Sequence, residues 1–257
     1  MKKLVILFFV LVNGSLFGQQ SSTIRVDYME SISLNNRFNL DSSISLDLKG
    51  LLPDKLDLYN QLYVQGSKGI YGTDVLKMEE QQAEQKKRNE AEGGAVFIDL
   101  GGAPENYQYT DLDKQSVIEQ RDFMGKMFLI EGKVTPIIWK MTGNKKTILG
   151  YEVLEATAVA DGENVTAWFA PSIKAEIGPS GLHSLPGLIL EVQYINDQRT
   201  ITAVKIDLNE KDSSKVKAPS KGKKVTEEQF DKMVEEKTKE MEQQFSGRDG
   251  GVIIKMD

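Results

Sequence analysis

The stretch Thr147-Ile148-Leu149-Gly150-Tyr151-Glu152-Val153-Leu154-Glu155-Ala156-Thr157-Ala158-Val159-Ala160-Asp161-Gly162-Glu163-Asn164-Val165-Thr166-Ala167-Trp168-Phe169-Ala170 joins two β-prone segments through Asp161-Gly162. Asp and Gly both tolerate positive φ, as the two central residues of a tight hairpin turn require. Strands are therefore predicted over 147–160 and 164–170, paired antiparallel. The same style continues on both sides. Ile24, Val26 and Tyr28 alternate with Arg25, Asp27 and Met29, and Ile44, Leu46 and Leu48 alternate with Ser45, Asp47 and Lys49, the period-two pattern of half-buried strands. Further strands are predicted over 56–65, 68–76, 95–100, 107–110, 115–123, 126–130 and 136–141. Downstream, Asn196-Asp197 turns the chain into a strand from Thr200 to Leu208. The expected fold is mainly β, a curved antiparallel sheet with one face buried and one wet.

Two segments break the pattern. Residues 77–94 are nearly all charge and amide, which reads as a short solvated helix or a loop. Lys86-Lys87-Arg88 within it is interleaved with acids and reads as solvated surface in preference to a basic contact patch. Residues 209–225 are rich in Lys, Ser, Asp, Pro and Gly and read as a flexible linker. From 226 a helical tail is expected. Thr226 and Gln229 have the spacing of a capping box, and Phe230, Met233, Val234, Met241 and Phe245 share one face. The chain closes on the β-prone Val252-Ile253-Ile254.

The N-terminus reads as an export signal. Met1-Lys2-Lys3 is basic, Leu4–Val12 is apolar, and Asn13–Gln20 is a small-residue exit, with cleavage expected after Gly18. The apolar core is far shorter than the roughly 20 residues a membrane span needs. The organisation is then a signal over 1–18, a β-rich domain over 19–208, the linker over 209–225, and the helix with its terminus over 226–257. No transmembrane segment is expected in the mature chain, which would work in the periplasm or outside the cell. The absence of cysteine excludes disulfides, thiolate metal sites and a lipid-modified cysteine. The net charge is −6, and −8 without the signal's two lysines, so nothing in it points to nucleic acid as a partner.

Residues able to carry chemistry are few. His183 is the only histidine, so a serine triad or a His-rich zinc site would have to use it. A turn-surface place is favoured for it, and its neighbour Ser184 is expected to point to the opposite face of an extended strand. Asp111 with Asp113, and Glu152 with Glu155, are close acidic pairs of the kind a two-carboxylate hydrolase uses, but such pairs also arise by chance in an acidic chain. No catalytic residue, metal ligand or cofactor is assigned. The most informative loop is Ile177-Gly178-Pro179-Ser180-Gly181-Leu182-His183-Ser184-Leu185-Pro186-Gly187-Leu188-Ile189. Gly178–Gly181 is one expected corner. Pro186 and Gly187 are expected to form a type II turn, with positive φ at the glycine. The loop reads as a rigid β connection or as a rim for a ligand or partner, in which His183, Leu185, Pro186, Gly187, Trp139 and Trp168 would take part.

The segment Ser184-Leu185-Pro186-Gly187-Leu188-Ile189 resembles the motif of the GLPGLI family of exported bacterial proteins, with Ser184 in place of the first glycine. Ile138-Trp139-Lys140, Ile148-Leu149-Gly150-Tyr151 and Ala167-Trp168-Phe169-Ala170-Pro171 are similar to that family's other signatures, in the same order. Val153 stands where its members often carry cysteine. The resemblance implies a half-barrel in outline like periplasmic lipoprotein carriers, and a partner in outer-membrane processes beside TonB-dependent receptors. It implies no catalytic residues. The expected function is thus a non-enzymatic exported binding or accessory protein that docks an outer-membrane receptor or holds an apolar ligand. A carboxylate-dependent periplasmic hydrolase and a purely structural envelope component are the alternatives.

Overall fold

The computed structural model describes residues 22–33, 54–92, 104–195 and 198–246. The strands expected over 44–48 and 95–100, the Asn196-Asp197 turn, the signal and the terminal Val252-Ile253-Ile254 lie outside these residues. Twelve strands form one open sheet: β1 Thr23–Ser33, β2 Lys55–Gln65, β3 Lys68–Thr73, β4 Tyr107–Asp111, β5 Ser116–Phe123, β6 Lys126–Lys133, β7 Lys140–Ile148, β8 Tyr151–Ala160, β9 Glu163–Ala170, β10 Leu188–Tyr194, β11 Arg199–Glu210 and β12 Lys223–Val225. Their order across the sheet is β12-β6-β5-β4-β3-β2-β1-β11-β10-β9-β8-β7. Every pairing is antiparallel except the short parallel contact of β12 with β6. The fold is mainly β, a curved, unclosed antiparallel sheet with a helix at the C-terminal end, as the alternation implied.

Alternation decides which face is buried. On β1, Ile24, Val26, Tyr28 and Glu30 face inward, and on β2 their partners Val64, Leu62 and Asn60 do the same. With Val165, Ala167, Phe169, Leu188, Leu190, Val192 and Ile201 they form the main core. The Tyr28 hydroxyl reaches past β11 and donates to the Ile189 carbonyl at 2.6 Å, so a deeply buried phenol is satisfied. The loop from 171 to 187 adds a second layer. It leaves β9, lays Ile173, Ile177, Leu182 and Leu185 on the buried face, and returns into β10.

Three expectations need correction. Residues 147–160 are not one strand. Leu149 takes φ 50° and Gly150 φ 82°, so the chain reverses there and β7 pairs with β8. Leu149, the first of the two turn residues, carries no turn chemistry, which hid the hairpin. The Asp161-Gly162 turn forms as expected, with φ 50° and 82°. The Pro186-Gly187 corner is not a type II turn. The Gly187 amide donates to the Leu185 carbonyl at 2.9 Å, a three-residue turn centred on Pro186, and Gly187 takes φ 158°. Glycine is needed there because a β-carbon would lie 2.3 Å from the Ala170 carbonyl oxygen. The stretch read as a linker is shorter than 209–225 and tied in at both ends, since β11 runs to Glu210 and β12 takes Lys223–Val225.

The segment left open between helix and loop is helix α1, Val75–Glu92. Its first turn is held by Asp74, whose carboxylate accepts the Lys77 amide at 3.2 Å. Helix α2, Glu227–Ser246, begins with the expected capping box. The Gln229 amide donates to Thr226 Oγ at 3.2 Å, and the Thr226 amide donates to Gln229 Oε1 at 3.1 Å. Phe230 then packs edge-on against Phe128 and Phe123, so this helix docks on β5 and β6. Among the described residues no helix is long and apolar enough to cross a membrane.

Candidate binding cleft

The residues expected to form a rim are part of the fold. His183 is buried, not at a turn surface. Its Nε2 faces the Thr135 carbonyl at 3.1 Å, and a carbonyl can only accept, so Nε2 carries the proton. Nδ1 then accepts from the Ser184 hydroxyl at 2.7 Å. The two neighbours meet because Ser184 takes φ 68°, which breaks the extended geometry that would have sent them apart. Burial lowers the His183 pKa from its ordinary value, against the opposing pull of the Thr135 bond. The Trp139 indole donates to the His183 carbonyl at 2.8 Å, Leu185 lies in the core, and Trp168 is covered by the Lys146 ammonium 4.1 Å from its ring centre. Pro186 is exposed and Gly187 buried. None of the six lines either of the two hollows described below.

The acidic pairs do not converge either. Asp111 is buried and accepts the Lys114 amide at 3.1 Å, while Asp113 accepts from Ser67, so both brace the turn after β4. Glu152 pairs with Lys145, and Glu155 accepts from Asn144, on the β7–β8 hairpin.

The cleft lies elsewhere, over the end of the buried face where apolar residues give way to polar ones. Glu30 follows Tyr28 in the inward row of β1 and is itself buried. A carboxylate in that position needs partners. Its Oε2 accepts from Asn60 at 3.0 Å and its Oε1 from Arg199 at 3.3 Å. The Arg199 guanidinium stacks on Tyr194, 3.7 Å above the ring centre, where the β10–β11 hairpin sets the two residues opposite each other. Burial opposes the charge on Arg199, but Tyr194 and Glu30 outweigh it and hold its pKa above the ordinary value. Across the cleft, Glu119 accepts from Gln108 at 3.3 Å and from Arg121 at 2.7 and 2.9 Å. Tyr71 stands between, packed edge-on to Tyr28, and burial with Glu30 nearby pushes its phenol well above the usual range. Its hydroxyl and Arg199 Nε are buried without a hydrogen-bond partner.

These groups enclose about 410 Å³. A second hollow of about 500 Å³ lies on the other face of the same strands, where Gln61, Tyr63 and Ile70 point, with Gly72, Thr73, Tyr107 and Gln120 bordering both, and it is bounded outside by Lys215, Pro219 and Lys221 of the 211–222 connection. One signal for this site was present in the sequence: Glu30 and Asn60 are polar residues at positions that alternation assigns to the buried face. The contributions of Arg121, Tyr194 and Arg199 depend on which strands become neighbours.

The family model for the N-terminal domain of N-glycanase peptide matches residues 101–233, more than half of the chain. This chain belongs to that family. Two solved structures of PNGF-II, in the C2 and P21 space groups, are similar in fold. They have TM-scores of 0.53 and 0.51 and identities of 14% and 15%, and each match covers 83% of this chain and 33% of the other. The chain thus spans about a third of the length of those structures, and at this identity the likeness is one of fold alone. No curated protein matches.

Proposed function

We propose that this chain is a non-enzymatic, exported binding or accessory module of the cell envelope, and that the Glu30–Arg199 cleft holds its ligand. The supporting observation is the state of the cleft's two carboxylates. Both oxygens of Glu30 and both of Glu119 accept hydrogen bonds from an arginine and an amide. Neither is left free as acid or nucleophile, whereas a hydrolase of this type needs one of each. The cleft is also polar, so the ligand favoured is polar in place of the apolar one expected from the sheet alone. Membership of a family described as the N-terminal domain of an N-glycanase suits a part that accompanies an enzyme.

Export rests on the N-terminal Met1–Gln20 pattern. The GLPGLI-like Ser184–Ile189 segment supports an outer-membrane receptor as the partner. Gentle crosslinking of the native chain in cells, followed by identification of co-purified envelope proteins, tests this reading. A stoichiometric envelope partner supports it, and none at good yield counts against it. The hydrolase alternative is favoured by Glu30 and Glu119 lining one cleft. Turnover of a glycopeptide by the purified chain, abolished by Glu30→Gln at unchanged melting temperature, would replace the binding reading with the enzymatic one.

A further inference from the structure

We propose that Ser184 is an acyl-acceptor site: its Oγ takes the acyl group of a small activated ester, with His183 as the base and the Leu185 amide as donor to the oxyanion. The site is formed by the 171–187 loop, apart from the Glu30–Arg199 cleft, and goes beyond the binding reading above. The first observation is a relay of hydrogen bonds. The Ser184 hydroxyl donates to His183 Nδ1 at 2.7 Å, and His183 Nε2 donates to the Thr135 carbonyl at 3.1 Å. The second bond fixes the tautomer, so Nδ1 keeps a lone pair aimed at the serine. A nucleophile bonded to a base, with the base oriented by a third group, is the arrangement that activates a serine. Trp139 fastens the same residue through its backbone, the indole donating to the His183 carbonyl at 2.8 Å.

The two side chains differ in exposure as this role requires. His183 is buried and Ser184 is exposed, so the base is shielded while the serine is open to a reagent. Burial keeps the imidazole neutral and able to take a proton, against the opposing pull of the Thr135 bond and the Asp161 charge. The backbone supplies the remaining part. Ser184 takes φ 68°, in the left-handed region that favours glycine, and this turn swings its hydroxyl back onto its neighbour's ring. The Ser184 amide donates to the Glu176 carbonyl and the Gly187 amide to the Leu185 carbonyl, both at 2.9 Å, but the Leu185 amide donates to nothing among the described residues. In strained nucleophile turns the amide that follows the nucleophile is a donor to the oxygen of the attacked carbonyl.

The surroundings define the acyl donor. Neither hollow described above includes these residues, so the site is shallow and the donor must be reactive in itself. Ile138, between Thr135 and Trp139 that both bond to His183, is 87% exposed, and Pro186 is exposed beside Ser184. A short uncharged acyl group on a good leaving group, as in an aryl ester or a thioester, suits such a surface. In the step, Ser184 Oγ forms a bond to the acyl carbon while its proton passes to His183 Nδ1. The tetrahedral adduct then collapses, the bond to the leaving group breaks, and the leaving group takes that proton from Nδ1. An acylated Ser184 and a free phenol or thiol result, with His183 neutral again.

If the serine only satisfies a buried ring nitrogen, its hydroxyl is no more reactive than any other, and p-nitrophenyl acetate separates the two cases. The mature chain is treated with this ester, digested after Lys and Arg, and read by mass. Residues Ala175–Arg199 leave as one peptide without lysine that holds Ser180 and Ser184. One acetyl group on Ser184 is expected, with Ser180 and the exposed Ser220 unmodified. His183→Asn, its fold checked by melting, is expected to slow this acetylation about a hundredfold. Ser184→Cys reads the same base without disturbing the histidine, since it supplies the chain's only thiol. It is expected to react with iodoacetamide severalfold faster than Ser220→Cys, because a neighbouring imidazole draws a thiol toward thiolate. No acetyl group on Ser184, equal modification of Ser220, an undiminished rate in folded His183→Asn, or equal rates for the two thiols would each overturn the proposal. An envelope partner captured by crosslinking is unaffected by any of these outcomes, so the two readings fail separately.

Discussion

At Gly187 an added β-carbon would lie 2.3 Å from the Ala170 carbonyl oxygen and 2.8 Å from Pro171 Cα, both backbone atoms that cannot swing aside. Gly187→Ala is therefore expected to destabilise the protein by about 1–3 kcal/mol, as overpacking does, measured by urea denaturation. Unchanged stability would mean that the loop is free to retreat from β9. His183 provides a second test at this scale. Its folded pKa lies below the ordinary 6.5, so the unfolded chain takes up the proton first as the pH falls. Its contribution to stability is fully present above the unfolded pKa and is lost as pH falls through the folded one. The melting temperature is expected to drop between pH 7 and 5, with a shallower drop in His183→Asn. Equal slopes in the two proteins would refute the assignment. Because both ring nitrogens are bonded in a buried site, His183→Ala is also expected to cost stability, contrary to what a surface position would imply.

Among the elements, α2 illustrates how a thin apolar stripe acquires a partner. A helix of this length is marginal alone, and its capping box only starts it. What holds it is Phe230, set among Phe123, Phe128 and Ile130, with the Arg121 guanidinium 5.1 Å from its ring centre and bonded to Glu227 at 2.9 Å. Phe230→Ala is expected to cost about 3 kcal/mol, or to free the helix outright. Limited proteolysis separates these outcomes. In the wild type, cleavage between 226 and 234 is expected to be slow, and in the variant it should become the earliest cut. Early cutting there in the wild type would mean that the docking is not maintained in solution.

At the scale of the molecule, the sheet starts with Thr23, which enters β1 just after the expected cleavage site. β1 is central, paired with β11 on one side and β2 on the other. The chain expressed with its first eighteen residues is expected to leave the cytoplasm and to begin at or near Gln19. N-terminal sequencing that returned Met1 on membrane-bound protein would reject both the signal and its cut. β1 and β11, far apart in sequence, are joined by their antiparallel pairing and by the Arg199–Glu30 contact.

Period-two alternation, Asp161-Gly162, the capping box at Thr226 and the apolar stripe of α2 are local features, and each was legible because its physics acts within a few residues. That much determined the fold class, the main strands and the C-terminal helix. The Leu149-Gly150 reversal was not legible, because Leu149 accepts an unfavourable φ that only the pairing of β7 with β8 compensates. Of the six residues singled out around the Ser184–Ile189 loop, Gly187 is held by its close approach to Ala170 of β9 and Leu185 lies in the core, whereas His183, expected at a turn surface, is buried. The cleft was half-legible, through Glu30 and Asn60 at inward positions. Its other half comes from β4, β5, β10 and β11, far away in sequence, and which strands lie side by side is decided by long-range pairing and not by any residue's neighbours in the chain.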